Sequence, residues 1–446
     1  MTSPKPLLAA LALALAACSG VPILGNPAGA AADAGAVLPA ESGVIKHVVV
    51  IVQENRSFVN IFAGYPGADA PMSGPTSKGK VVALHPIDFG TPDLDHSYGA
   101  SIQDYNGGRM NGFDKNYSSI GSRGLLPYSY LQRKLVAPYW SMAQQYTLAD
   151  RMFATEHGAS WTAHLDLIGT TNLSPATAVV DFPSNAPWDC AAPKGTRTPY
   201  VTSAGAYRNY GPFPCFTQFS TMADTLDAAG VSWRFYAPRI CCGDIGGIWS
   251  PFGAIRAVRY GPDWKKIVSR PARVLTDVAA GKLAQVTWIT PEWAWSDHAG
   301  GGARMGPSWV AAVVNAIGSS RFWKDTAIIV LWDDWGGFYD DARPPQLDFK
   351  GLGLRVPCLI ISPYARHGYV SHTQYEFGSI NAFVEQIFDL PPLGTAGAGY
   401  SDARATSILD SFDFAQSPPV FTPISAPDPP SSFVSMPESG KVPDDE

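Results

Sequence analysis

No block of lysine or arginine occurs anywhere in the 446 residues, and 32 basic residues against 38 acidic ones leave a formal net charge of −6. Such a balance offers no electrostatic footprint to a polyanion, which excludes nucleic acid as a partner. Cysteine is scarce, at six, and the adjacent pair Cys241 and Cys242 lacks the spacing of a tetrahedral zinc module, so both read as structural. The apolar run Leu7 to Ala17 is too short for a transmembrane helix. No internal repeat is evident, and no pattern points to an organic cofactor. What the chain does have is 46% hydrophobic residues, 12% aromatics, 43 glycines and 39 prolines. That is material for one large core joined by long loops. The length exceeds that of an ordinary domain, yet large α/β enzymes reach it as one elaborated catalytic domain.

At the N-terminus Lys5 precedes the Leu7 to Ala17 run, which ends Leu15-Ala16-Ala17-Cys18. This is the form of a bacterial export signal with a lipoprotein cleavage box, so residues 1–17 are expected to be removed and Cys18 to carry a lipid anchor into a membrane. Ordinary secretion is the alternative, with a small-residue cut in the Ala28 to Asp33 region. Both place the protein outside the cytoplasm. Residues 18–43 are small and read as a flexible tether, 44–415 as the catalytic domain, and 416–446 as a Pro-rich, extended tail. Five cysteines then remain, so one thiol is expected to be free in an oxidising compartment. Cys358, inside an apolar run, reads as a core residue, whereas Cys190 and Cys215 flank an irregular loop suited to a disulfide.

The pivotal stretch is His47-Val-Val-Val-Ile-Val-Gln-Glu54-Asn55-Arg-Ser-Phe58. Val48 to Val52 is apolar without alternation, as a strand covered on both faces must be. It delivers Glu54 and Asn55, a charged and a neutral oxygen donor suited to a divalent cation, to the carboxyl edge where parallel sheets hold ligands. Thr326 to Trp332 repeats the pattern and runs into Asp333 and Asp334, two adjacent carboxylates that repel each other unless a cation lies between them. Gly158-Ala-Ser160 opens a predicted helix, exposing Ser160 where backbone N–H groups favour an anion; a plain helix cap is the alternative. His164, four residues on, shares that helix face. Further strands are expected at Val231–Tyr236, Gln285–Ile289 and Val356–Ile361, and helices at 136–146, Met222–Ala229, Trp309–Ile317 and Ser379–Phe388. This alternation predicts an α/β fold with a mostly parallel sheet.

Several landmarks in order resemble those of a bacterial phosphoesterase family that includes non-haemolytic phospholipases C and related acid phosphatases. They are the 47–58 stretch, Gly158-Ala-Ser160, Ser296-Asp297-His298, Asp333-Asp-Trp-Gly-Gly-Phe-Tyr-Asp340 and Arg355-Val-Pro. The resemblance implies a three-layer α/β/α, alkaline-phosphatase-like fold and an exported hydrolase of phosphate esters. It implies a divalent metal ion, of open identity, held by Glu54, Asn55, Ser160, Asp333 and Asp334. It implies a phosphoryl-enzyme intermediate on Ser160, with Thr162 the alternative nucleophile. His96 and His298 carry over as phosphate-binding or proton-donating groups, and His96, His164 and Asp297 as groups meeting the substrate. That substrate is a phospholipid head group or a small phosphomonoester. The family has Asp where this chain has Val59, and often His where it has Asp341. These departures suggest the alternative of a catalytically degenerate phosphate- or metal-binding protein.

Overall fold

The apolar run after Lys46 forms β1 (His47–Gln53), buried from Val48 onward on both faces. Burying each apolar side chain from Val48 to Val52 contributes about 1.5–3 kcal/mol, which is why no polar residue interrupts that run. The computed structural model describes residues 42–118, 121–122, 124–240, 244–300 and 304–443. The expected signal peptide, Cys18 and the Cys241–Cys242 pair lie outside them, as does nearly all of the tether.

β1 lies at the centre of a nine-stranded sheet. The others are β2 (Thr147–Phe153), β3 (Trp233–Ala237), β4 (Ile267–Ser269), β5 (Val286–Ile289), β6 (Thr326–Trp332), β7 (Arg355–Ile361), β8 (Tyr369–Ser371) and β9 (Tyr375–Glu376). The order is β4-β3-β5-β1-β6-β7-β2-β8, with β9 also paired to β2. All pairings are parallel except those of β7, which runs antiparallel to both β6 and β2. Burial of every residue in β6 and β7 shows the sheet covered on both faces, the α/β architecture expected.

Two readings change. Thr147–Phe153 is a strand, although Asp150 and Arg151 interrupt its apolar pattern. Asp150 is buried because His372 Nδ1 and the Asp69 amide bond its carboxylate at 2.9 and 2.8 Å. The reversal of β7 puts Arg355, its first residue, at the edge where β1 and β6 end.

The helices that matter for the site are α1 (Phe58–Phe62), α2 (Tyr98–Tyr105), α3 (Ala137–Gln145), α4 (Ser160–Asp166) and α5 (Gly306–Gly318). Residues 172–208 add a separate four-stranded antiparallel sheet, and the Cys190–Cys215 disulfide, across 25 residues, encloses its last two strands. Cys358 is a buried free thiol whose pKa burial raises. Replacing Cys190 with serine is expected to cost about 3 kcal/mol of stability through loop entropy alone, measured by denaturant unfolding of the non-reduced protein.

The Pro-rich C-terminus, expected to be an extended tail, includes a short helix, Pro430–Ser435, and packs against the domain. Ile424 and Phe433 are buried, the latter edge-on to Trp295, and Asn315 of α5 exchanges hydrogen bonds with Ile424.

Candidate active site

Where β1 ends, Asn55 adopts a left-handed conformation (φ 56°), which asparagine tolerates better than most residues. The Glu54 amide donates to the Ser296 carbonyl (2.8 Å), and the Asp333 amide to that of Gln53 (3.1 Å). Three sequence-distant turns are thereby tied into one edge. Asp333 Oδ1 accepts from the Asn55 amide at 3.1 Å, and Asp334 Oδ1 from the Gly336 amide at 2.7 Å.

Gly336 (φ 62°) makes this turn possible, because a Cβ there would lie 2.0 Å from the Asn55 carbonyl oxygen. Gly336→Ala is expected to cost about 2 kcal/mol or more and to displace Asn55. Thermal melting together with turnover checks it.

Glu54, His164 and Asp333 converge, each able to place a ligand atom within 4.8 Å of the others. His164 Nε2 lies 3.1 Å from Glu54 Oε1 and 3.8 Å from Asp333 Oδ2. Burial pushes the His164 pKa down to about 4 against the opposing pull of Asp333, so the imidazole is neutral at neutral pH, the form that ligates a metal. Two carboxylate side chains and an imidazole, all buried, face one another. Asn55 Oδ1 and Asp333 Oδ2 are buried there without a hydrogen-bond partner. Buried carboxylates gathered in this way are costly without a counter-charge, and a hard or borderline divalent cation fits the donors of the cluster. His164, expected to meet the substrate, stands beside Glu54 and Asp333 in a group that could hold a metal ion. Helical spacing put it on the right face, and Glu54 and Asp333 decide what it does there.

Ser160 stands next to this group. Its hydroxyl donates to Asp334 Oδ2 at 3.1 Å and accepts from Asn55 Nδ2 at 3.3 Å. Asn55 Nδ2 also lies 2.6 Å from His96 Nε2. His96 Nδ1 donates to the Leu94 carbonyl (2.8 Å), which fixes the tautomer and makes Nε2 the acceptor for Asn55. The His96 and His298 rings stand 5.4 Å apart, and His298 Nδ1 donates to the Ala299 carbonyl at 2.5 Å. The five expected ligand-type residues and both histidines are thus linked through one another.

Two expected residues are not part of it. The Thr162 hydroxyl is bonded back to the Ala159 carbonyl (2.9 Å) within its own helix. Asp297, also left-handed (φ 70°), turns its carboxylate to the Tyr139 hydroxyl at 2.6 Å. Burial lifts its pKa to about 7, opposed by that bond and by Arg56. Through that bond it ties the 296–298 turn to α3.

Arg355 was legible only as part of a motif. Fully buried, it donates to Asp340 Oδ1 and Asp341 Oδ1 (each 2.9 Å) and to the Asp150 carbonyl (2.9 Å), with Phe58 under its guanidinium at 4.5 Å. Both departures from the family pattern fall here. Asp341 pairs with Arg355, while the Val59 amide donates to Asp340 Oδ2 (3.2 Å) and its side chain joins a small apolar cluster with Trp335 and Tyr339. Neither replaces a member of the Glu54–His164–Asp333 group or touches Ser160 through a recorded bond.

A sequence model described as the Phosphoesterase family matches residues 45–391. The non-hemolytic phospholipase C of Pseudomonas aeruginosa is 26% identical over 77% of this chain, although the match spans only 54% of that protein's length. Phospholipase C B of Mycobacterium tuberculosis is 24% identical over 84% of this chain and 78% of its own. A solved protein in the alkaline phosphatase superfamily from Vibrio parahaemolyticus aligns over 77% of this chain and 66% of its own with 11% identity and a TM-score of 0.37. The chain belongs to the Phosphoesterase family, hydrolases acting on phosphate esters.

Proposed function

We propose that this protein is an exported, divalent-cation-dependent phosphoesterase that transfers a phosphoryl group to Ser160 and then to water. The observation that carries the reading is the placement of the Ser160 hydroxyl between Asp334 Oδ2 and Asn55 Nδ2, beside the buried Glu54–His164–Asp333 group. Phosphoryl transfer asks for alignment and charge neutralisation more than for elaborate covalent chemistry. A cation held by Glu54, His164 and Asp333 would neutralise the phosphate and lower the pKa of a nearby hydroxyl.

The chain's own groups do the rest. Asp334 Oδ2 is placed to take the Ser160 proton, and Asn55 orients the hydroxyl while His96 Nε2 orients Asn55. With its Nδ1 proton given to Ala299, His298 presents Nε2 as the ring's basic nitrogen. In its protonated form this nitrogen would deliver a proton to the leaving oxygen, worth about 10²- to 10⁴-fold.

The test is hydrolysis of p-nitrophenyl phosphate and bis-p-nitrophenyl phosphate by the purified protein, with and without added divalent cation. Cation-dependent turnover of at least one ester is expected. Binding of cation and phosphate with no turnover of either would leave the binding-protein reading instead.

Export rests on Lys5, the Leu7 to Ala17 run and Cys18, and the Cys190–Cys215 disulfide suits an oxidising compartment. Cys18→Ser is expected to move the protein from the membrane fraction to the soluble one. A wild-type protein already soluble, without incorporated palmitate, would remove the lipid anchor.

A further inference from the structure

A buried ammonium lies against both ends of α4. Lys350 is 2% exposed, and its Nζ donates to the Thr171 hydroxyl at 2.9 Å, with Glu156 Oε2 at 3.1 Å and Asp166 Oδ1 at 3.8 Å. The Thr171 hydroxyl in turn donates to Glu156 Oε2 at 2.7 Å. Glu156 stands four residues before Ser160, Asp166 is the last residue of α4, and Thr171 lies in the chain just beyond it. One charge therefore meets the segment entering the helix, its last residue and the segment leaving it. The backbone of the lysine is tied to the same place. The His157 amide donates to the Lys350 carbonyl (3.3 Å), the Lys350 amide to Asp348 Oδ1 (2.8 Å), and the Gly353 amide to the Ala154 carbonyl (2.9 Å).

α4 depends on contacts of this kind. It is seven residues long, too short to persist alone, and Ala159 before it supplies no side-chain cap. Trp161 packs on Phe216 with 5.9 Å between ring centroids, and every residue of the helix is buried. Apolar contact is non-directional, however, and does little to stop a helix sliding or turning. Polar contacts at its ends do that. Asn381 Nδ2 donates to the Asp166 carbonyl at 3.1 Å, and Lys350 spans from one end to the other. Burial works against the lysine's charge, but Asp166 and Glu156 more than offset it and hold its pKa above the ordinary value. The neighbouring Arg404 is engaged by Glu376 and Asp348.

The Ser160 hydroxyl has to meet Asp334 Oδ2 and Asn55 Nδ2 together, and a misplacement of about 1 Å can cost about 10²-fold in rate. We propose that Lys350 is a positioning residue for Ser160, its ammonium clamping the two ends of α4 so that the hydroxyl stays against Asp334 and Asn55. The inference rests on reading Ser160 as the nucleophile of a phosphoesterase.

The test compares the full chain with Lys350→Met, which keeps the stem and removes the charge, with Asp166→Asn, and with the double variant Lys350→Met/Glu156→Gln. Rates on p-nitrophenyl phosphate and bis-p-nitrophenyl phosphate are read at saturating divalent cation, so that weaker ion binding through His164, on the same helix, does not enter. In Lys350→Met, kcat is expected to fall about 10- to 100-fold, and by less in Asp166→Asn, with KM within about twofold of the parent. Lys350→Met leaves the Glu156 carboxylate buried without its cation and should melt lower. The double variant removes that charge and should regain much of the melting temperature while kcat stays low. Recovery of kcat along with melting temperature would reduce Lys350 to a stabilising role and overturn the proposal, as would a parental kcat in folded Lys350→Met. Should Lys350→Met fail to fold, the double variant carries the same comparison. If the parent turns over neither ester, the hydrolytic reading fails, and amide hydrogen exchange across residues 156–171 still decides for the clamp. Faster exchange confined to that segment in Lys350→Met supports it, and unchanged exchange overturns it.

Discussion

Replacing Ser160 with alanine is expected to lower phosphoester turnover by at least about 10³-fold, because a nucleophile acts as a unit with its base and no neighbour can take its place. The nearest hydroxyl, that of Thr162, is bonded to the Ala159 carbonyl and cannot turn without breaking that bond. Folding should survive, since Ser160 opens α4 without capping it and the variant loses one hydroxyl bonded to Asp334 and Asn55. Cation uptake should survive as well, because Glu54, His164 and Asp333 are untouched. Rates measured beside cation stoichiometry and thermal melting separate the outcomes. A variant that folds, takes up cation and retains its rate would remove Ser160 from the chemistry.

Asp333→Asn is expected to be nearly as damaging by a different route. The substitution keeps an oxygen to accept from the Asn55 amide, as Asp333 Oδ1 does at 3.1 Å, so the turn is preserved. It removes one of the two carboxylate charges facing His164. Affinity for a hard cation depends on that charge count, so uptake should fall by at least about 10²-fold and turnover with it. A bound cation at a hundred times its Kd stabilises the fold by about 2.7 kcal/mol. That increment should appear in the parent's melting temperature on adding the ion and vanish in the variant. The Asn variant melting higher than the parent in chelator would agree with this account, because it relieves repulsion between buried carboxylates. Undiminished cation uptake would contradict it.

Much of this site was readable because its residues follow strands of one kind. β1 and β6 are buried on both faces, so Val48–Val52 and Ala327–Trp332 are unbroken apolar runs, and Glu54, Asn55, Asp333 and Asp334 stand out just beyond the strand ends. β2 was hidden by Asp150 and Arg151, a buried carboxylate and a partly buried guanidinium that local pattern cannot distinguish from a loop. The reversal of β7 was hidden because hydrophobicity carries no strand direction, and with it went the position of Arg355. Side-chain aim was the other limit. A left-handed φ at Asp297 sends its carboxylate to Tyr139 instead of outward, and His164 could be placed on a helix face but not assigned a partner. The Pro-rich C-terminus looked like a tail because proline and serine dominate it, whereas buried Phe433 packs on Trp295 and Trp309 and buried Ile424 is tied to Asn315.

Most directly, the account is tested by the initial rate of p-nitrophenyl phosphate or bis-p-nitrophenyl phosphate hydrolysis on chelator-stripped protein as a divalent cation is titrated back. The expected result is a rate near background without the ion, rising to saturation along the same curve as ion binding to the Glu54–His164–Asp333 group, with no such rise in Asp333→Asn. Full turnover by the stripped protein would contradict it.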